Sequence, residues 1–352
     1  LGSGLKGRKY IETGSGAGGR YTRGPASARM PGLMTTSTIE ITLKVPVEQA
    51  GQRLDQALAA LLPDYSRSRL KTWIESGEVQ VDGEPRRPRD KVFGGETVSI
   101  GAALPEDTAV VAQQIPLVIA HEDRHVFVVN KPAGLVVHPG AGNADQTLQN
   151  ALLALDGKLA ALPRAGIIHR LDKETSGLLI VARTLPAHTA LVRMLEQREI
   201  HRGYEAICRG VMTAGGTVDA PIDRHPVERV KMAVREGGRE SVTHYRVIKR
   251  FRALTHVRVQ LATGRTHQIR VHLAHAGYPI AADPVYGGRL ALPRGASAEL
   301  TAALRAFPRQ ALHAARLEFA HPVTGKPVEC TAPPPDDMRE LLRVLALDAA
   351  SQ

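Results

Sequence analysis

"AGIIHRLDKETSGLLIVAR" (165–183) sets two apolar runs, Gly166-Ile167-Ile168 and Leu178-Leu179-Ile180-Val181-Ala182, around a charged loop. Short apolar runs bounded by turn residues read as buried strands. Both are expected to be central strands, which would hold the loop backbone firmly. Within the loop, Asp172 stands between Arg170 and Lys173. An acid among cations is most often a structural ion pair. Two further features point to chemistry here. Gly177 permits a close approach or an unusual backbone angle just ahead of the second run. The neighbouring cations would keep Asp172 ionised, a state suited to a nucleophile or base that works on an anionic polymer.

Outward from this loop, strands alternate with helices. "LVIAHEDRHVFVVNKPAGLVVHPG" (117–140) holds a buried strand over 126–129 and a rigid turn at Lys131-Pro132-Ala133-Gly134. "PAHTALVRMLEQREI" (186–200) is spaced as an amphipathic helix. "RGYEAICRG" (202–210), "SVTHYRVIKRF" (241–251) and "LTHVRVQLATG" (254–264) read as strands ending at Gly or charged turns. "THQIRVHLAHAG" (266–277) reads as a helix closed by Gly277. No internal repeat is visible. Hairpins mixed with helices argue for α+β rather than a doubly wound parallel sheet.

The segment nearer the N-terminus is a different unit. "IEITLKVP" (39–46) alternates as a half-buried strand, and Leu54, Leu58, Leu61 and Leu62 are spaced as a helix stopped by Pro63. In "YSRSRLKTWIESGEVQVDG" (65–83), Ser66 is the expected N-cap of a second helix. Leu70, Trp73 and Ile74 form its apolar stripe, Gly77 ends it, and Asp82-Gly83 turns the strand that follows. A last strand is expected from Thr97. Arg67, Arg69 and Lys71 crowd the start of the second helix, against its dipole. Such charges are usually a solvated face. A unit this small with no other evident purpose favours a phosphate-binding one.

The chain has 352 residues, 43% of them hydrophobic and 4% aromatic, with a formal charge of +11. The charge favours a polyanionic partner, nucleic acid before an anionic membrane. Cys208 and Cys330 are too few and too far apart for a disulfide framework or a cysteine zinc site, which fits a reducing cytosol. No apolar run is long enough to span a membrane. His267, His272 and His275 are expected on a helix surface or facing RNA, since no HExxH pattern is present. Asp283 is expected to be structural. The boundaries expected are a disordered leader over 1–37, with Met34 a candidate start, and a small α/β module over 38–103 with its core at 51–100. A linker over 104–114, a main domain over 115–345 and a tail over 346–352 follow.

"HRLDKETSGLLIVA" (169–182) resembles the signature of the RluA branch of RNA pseudouridine synthases. "VVNKPAGLVVHPG" (128–140), "REIHRGYEAICRG" (198–210) and "TGRTHQIRVHLAHAGYPIAADPVYG" (263–287) resemble that family's other motifs, in order. Arg53-Leu54-Asp55, Ser66-Arg67-Ser68-Arg69-Leu70 and the stretch from Gly77 to Gly83 resemble the S4 RNA-binding module. The resemblance implies the pseudouridine synthase fold: an α+β domain with a mixed, mostly antiparallel central sheet and flanking helices and loops, plus the α/β module. It implies Asp172 as nucleophile toward a flipped-out uridine, attacking the sugar or the pyrimidine ring. Tyr204 would stack on the base, Arg270 would orient Asp172, Leu273 would line the base pocket and Arg170 would fill the vacated place in the RNA helix. Lys131 and Arg265 near the cleft, and Arg67, Arg69 and Lys71 on the module, would contact RNA. Arg202 keeps the charge of a lysine common in the family, and Gly203 is expected to loosen its strand. "GLVVHPGAGNADQTLQNALL" (134–153), "VMTAGGTVDAPIDRHP" (211–226) and "DPVYGGR" (283–289) resemble members that act on the large ribosomal subunit. The implied partner is therefore 23S ribosomal RNA or an assembling large subunit, with no cofactor, no metal and a monomeric, cytoplasmic enzyme.

Two other classes compete. A non-catalytic RNA-binding assembly factor would use the same basic surfaces but leaves Asp172, Tyr204 and Arg270 without a shared purpose. A glycosidase needs paired carboxylates, for which Asp172 and Glu174, two apart in one loop, are a weak pair.

Overall fold

The computed structural model describes residues 20–23, 37–62, 65, 67–104, 110–140, 142–228, 230–289 and 292–351. The chain divides into two compact units, Leu1–Ala109 and Val110–Gln352. The first contains β1 (Arg20–Arg23), β2 (Ser37–Lys44), α1 (Leu54–Leu61), α2 (Arg67–Glu75), β3 (Val79–Val81), β4 (Glu84–Pro85) and β5 (Thr97–Leu104). Its sheet runs β1-β2-β5-β3-β4, every pair antiparallel. β1 lies inside the stretch expected to be a disordered leader. A strand edge offers unpaired backbone groups to any nearby extended segment, and Arg20–Arg23 takes up that edge of β2. Ser66 lies outside the described residues. Leu70, Trp73 and Ile74 of α2 are buried with Leu54, Leu58, Val98 and Ile100, as their spacing predicts. Arg67 is exposed, Arg69 is half-buried, and exposed Lys71 pairs with Glu75 at 3.4 Å.

The second unit contains β6 (Val118–Glu122), β7 (Val126–Lys131), α3 (Leu148–Leu155), β8 (Ser176–Ala182), α4 (Leu185–Glu196), β9 (His201–Arg209) and β10 (Gly216–Asp219). It continues with β11 (Ile222–Arg224), β12 (Met232–Val234), β13 (Val242–Arg250), β14 (Leu254–Leu261), α5 (Gln268–His275), α6 (Ala298–Ala306), β15 (Leu312–Ala320), β16 (Pro327–Thr331) and α7 (Asp336–Ala350). One sheet runs β10-β13-β14-β9-β15-β8-β7-β6, with β16 also on β15. Only the β15–β8 pair is parallel. β11 and β12 form a separate ribbon.

β7 and β8 are buried on both faces. Phe127, Val129, Leu179 and Val181 enter one core, and Val126, Val128, Leu178 and Ile180 the other. Alternate side chains of a strand point to opposite faces, so a strand covered on both reads as an unbroken apolar run. The run before the charged loop is different. Ile167 makes one bridge to Val181, while Arg164, Ala165 and Gly166 all have positive φ and form a tight turn that a strand cannot contain. Only the second of the two expected central strands forms.

The tail expected from 346 is also overturned. α7 runs to Ala350, burying Met338, Leu341, Val344 and Leu345. Asp348 is buried, accepting from the Ser297 amide at 2.7 Å and pairing with Arg252 at 3.2 Å. No helix among the described residues is long and apolar enough to cross a membrane.

Candidate active site

The charged loop leads into the start of β8, an interior strand between β15 and β7, and is pinned from beneath. Lys131, at the end of β7, is fully buried, and its ammonium donates to the carbonyls of Pro132, Leu135 and Lys173 at 2.8, 2.9 and 3.0 Å. Burial pulls its pKa down to about 7, against the raising effect of Glu174 and Asp172. Lys131 was expected to contact RNA. It is instead spent on backbone carbonyls, which is the condition for burying an ammonium at all. The buried Arg309 guanidinium donates to the Glu174 carbonyl at 3.1 Å and pairs with Asp337. The Thr175 amide closes the loop onto the Asp172 carbonyl at 3.0 Å. Gly177 has φ +113, and a Cβ there would lie 2.2 Å from the Ala314 carbonyl oxygen. The absence of a side chain lets β15 pack against β8 at the base of the loop.

Asp172 projects into a cleft of about 510 Å³ with Arg170, Arg202, Tyr204, Arg265, His267 and Arg270 on its walls. One nitrogen of Arg270, on α5, donates to Asp172 Oδ2 at 3.0 Å. The other edge of that guanidinium is held bidentately by Asp283, at 2.7 and 2.9 Å. Asp283 in turn accepts the amides of Val285 and Tyr286. Burial pushes the Asp283 carboxyl up, but the hydrogen bonds and charge of Arg270 outweigh it and hold it below the usual range. Asp283 is thus structural, as expected, and its structure is the orientation of Arg270.

His267 caps α5 in a left-handed conformation, φ 56. Its Nδ1 lies 2.8 Å from the Tyr286 hydroxyl, which accepts the Met232 amide at 2.9 Å. Its Nε2 faces Asp172 Oδ1 at 3.9 Å. His272, expected at the helix surface, is buried between the Thr243 hydroxyl and the Ala220 carbonyl. Its ring lies on the core face of α5, while His275 is exposed.

Arg202, Tyr204 and Ala206 occupy the buried face of β9. Burial pushes the Tyr204 phenol pKa up. Gly203 lies between Gln260 and Arg316 across the sheet, where a Cβ would be 3.2 Å from Arg316 Cβ. It admits the neighbouring strand at a register shift of β15 rather than loosening β9. Arg170 is exposed at the cleft, and half-buried Arg265 donates to the Glu240 carbonyl. Leu273, less than a turn beyond Arg270 on α5, is fully buried in the main core and is not among the residues that line the cleft. The sequence offered no sign of Tyr286 or Arg309, nor of the positioning roles of Asp283 and His267. They act through partners 13 to 135 positions away, a separation that leaves no local pattern.

A mixed sheet carrying an Asp–Arg–Asp chain and a buried tyrosine in one basic cleft fits an RNA pseudouridylate synthase, whose family model matches residues 125–275, while an S4 domain model matches residues 52–98. The chain belongs to the RNA pseudouridylate synthase family and is an isomerase of that class. It is 58% identical to the ribosomal large subunit pseudouridine synthase D of Xanthomonas campestris over 87% of this chain and 92% of that one. It is 54% identical to the protein of the same name from Pseudomonas aeruginosa, over 88% and 97%. Among solved structures it resembles human RNA pseudouridylate synthase domain containing 4, at TM-score 0.52 and 28% identity, covering 65% of this chain and 92% of that one.

Proposed function

We propose that this chain isomerises uridines of large-subunit ribosomal RNA to pseudouridine, with Asp172 as the nucleophile toward a uridine turned out of its helix. The observation that carries the reading is the Asp172–Arg270 contact at 3.0 Å inside the basic cleft, with Tyr204 on its wall. In the reaction the N1–C1′ bond breaks, the uracil turns over, and a C5–C1′ bond forms. The C5 proton leaves and N1 gains one. Atoms and electrons balance within the nucleotide, so no redox partner or group donor is called for. Asp172 supplies the covalent foothold on the sugar or the ring. Arg270 keeps it aimed, and Tyr204 offers the face on which the base stacks. Extruding a base costs a few kcal/mol, and stacking at about 1–3 kcal/mol per base offsets part of it. Arg170 enters the place the base leaves, and Arg265 with the exposed cations of α2 holds phosphates.

The test is ribosomal RNA tritiated at uridine C5. The protein should release tritium and leave the chain intact, and Asp172→Asn should abolish release while RNA binding survives. Release by the Asn variant, or free uracil as the product, would overturn the assignment.

A further inference from the structure

Three arginines are buried among the described residues: Arg202, Arg270 and Arg309, at 8%, 5% and 2% exposure. Arg270 faces Asp172 and Asp283, and Arg309 faces Asp337. Arg202 alone has neither an ion-pair nor a hydrogen-bond partner among the described residues, and its Nε is fully buried and unpaired. A buried guanidinium left uncompensated costs several kcal/mol. Beside it, His169 Nε2 accepts the Ile180 amide at 3.0 Å, so the proton of the neutral ring sits on Nδ1. That Nδ1 is also buried without a partner. Burial, with the Arg202 charge added, pulls the His169 pKa down to about 3, which keeps the ring neutral. Both residues line the cleft of Asp172. The loop leading into α5 passes over the guanidinium so closely that a Cβ on Gly264 would lie 2.5 Å from Arg202 Nη1. The amino end of α5, whose dipole favours anions, opens on the same cleft through Thr266 and His267.

A buried guanidinium that lines the cleft without a counter-charge calls for an oxygen-rich anion. Asp172 is engaged by Arg270, so the anion must arrive with the substrate. Arg202 and Tyr204 stand two residues apart on one face of β9, about 7 Å along the strand. We propose that Arg202, packed beside the neutral His169 ring, is the receptor for one phosphodiester of the RNA, a linkage flanking the uridine that stacks on Tyr204. The inference rests on the reading of the cleft as a uridine site. It adds that one particular phosphate is bound by a buried guanidinium rather than by the exposed cations of the rim.

The experiment uses the full chain and a C5-tritiated ribosomal stem-loop that it turns over, with methylphosphonate replacing one phosphodiester at a time around the target. Loss of a charge-assisted hydrogen bond should lower affinity roughly 10- to 100-fold. Wild type should show that loss at one flanking linkage only. Arg202→Met should show the same loss on unmodified RNA, mainly in KM, and no further loss with methylphosphonate. Arg202→Lys should recover part of the affinity and the sensitivity to that linkage. Equal affinity and turnover of Arg202→Met and wild type would overturn the proposal. So would a variant impaired only in kcat that keeps the full methylphosphonate penalty, since the guanidinium would then face the leaving uracil. If Arg202→Met does not fold, wild type indifferent to methylphosphonate at every flanking linkage overturns it equally. Filter binding of the same RNAs reads the phosphate contact without turnover, so a protein that releases no tritium sinks the uridine reading by itself.

Discussion

Asp172 divides its two oxygens between neighbours of different kinds. Oδ2 takes a guanidinium proton at 3.0 Å, while Oδ1 faces the His267 ring at 3.9 Å, beyond hydrogen-bond range. In the proposed reaction, the less encumbered oxygen is the one left to attack. Arg270 keeps its aim because Asp283 holds its far edge, so Asp283→Asn should let the guanidinium swing. Tritium release should fall roughly 10- to 100-fold, as for a misplaced catalytic group, and stability by about 3 kcal/mol, as for a broken buried pair. Unchanged kcat in a folded Asn variant would remove Asp283 from the positioning chain. His169 predicts a pH effect. Unfolded, it takes a proton near pH 6.5; folded, it resists until about pH 3. Between those values the unfolded chain binds more protons, so stability should fall as pH drops through that window and hold above it. Urea midpoints of wild type and His169→Gln across pH 4–7 should converge as pH falls.

At the scale of elements, the loop is held from two sides of the sheet: Lys131 at the end of β7, and Arg309 just before β15. Neither is long-range electrostatics; both are donors satisfying carbonyls that would otherwise be buried bare. Lys131→Met should therefore lower stability by about 3 kcal/mol, measured by urea unfolding, while the slope of RNA affinity against salt stays as in wild type. A phosphate-contacting lysine would instead reduce that slope by about one. α5 shows the same economy. It directs Arg270 to the cleft and Leu273 to the core, and its first residue is set by the left-handed backbone of His267.

The whole molecule carries +11 over two units with separate cores. Removing residues 1–109 should weaken binding of ribosomal RNA and flatten its salt dependence, with the chemical step on a minimal stem-loop changed far less. Equal damage to single-turnover tritium release on that stem-loop would contradict the division of labour.

What sequence alone decided is local. The spacing of Leu70, Trp73 and Ile74 makes a helix face, the unbroken apolar run over 178–182 makes a doubly covered strand, and the loop motif around Asp172 marks a family. These are readable because a side chain's partners there lie within a turn or two, or because a motif preserves them in order. Tertiary structure decided the rest. Lys131 looks like an RNA contact until three carbonyls converge on it. Leu273 and His272 look like cleft or surface residues until the rotation of α5 is known. The turn at 164–166 replaces an expected strand, and α7 absorbs an expected tail. Arg202 is only another cation in the sequence; that it is buried with no ion-pair partner among the described residues emerges when β9, the loop before α5 and the His169 ring close around it. Burial and pairing are properties of residues distant along the chain, and no spacing rule records them.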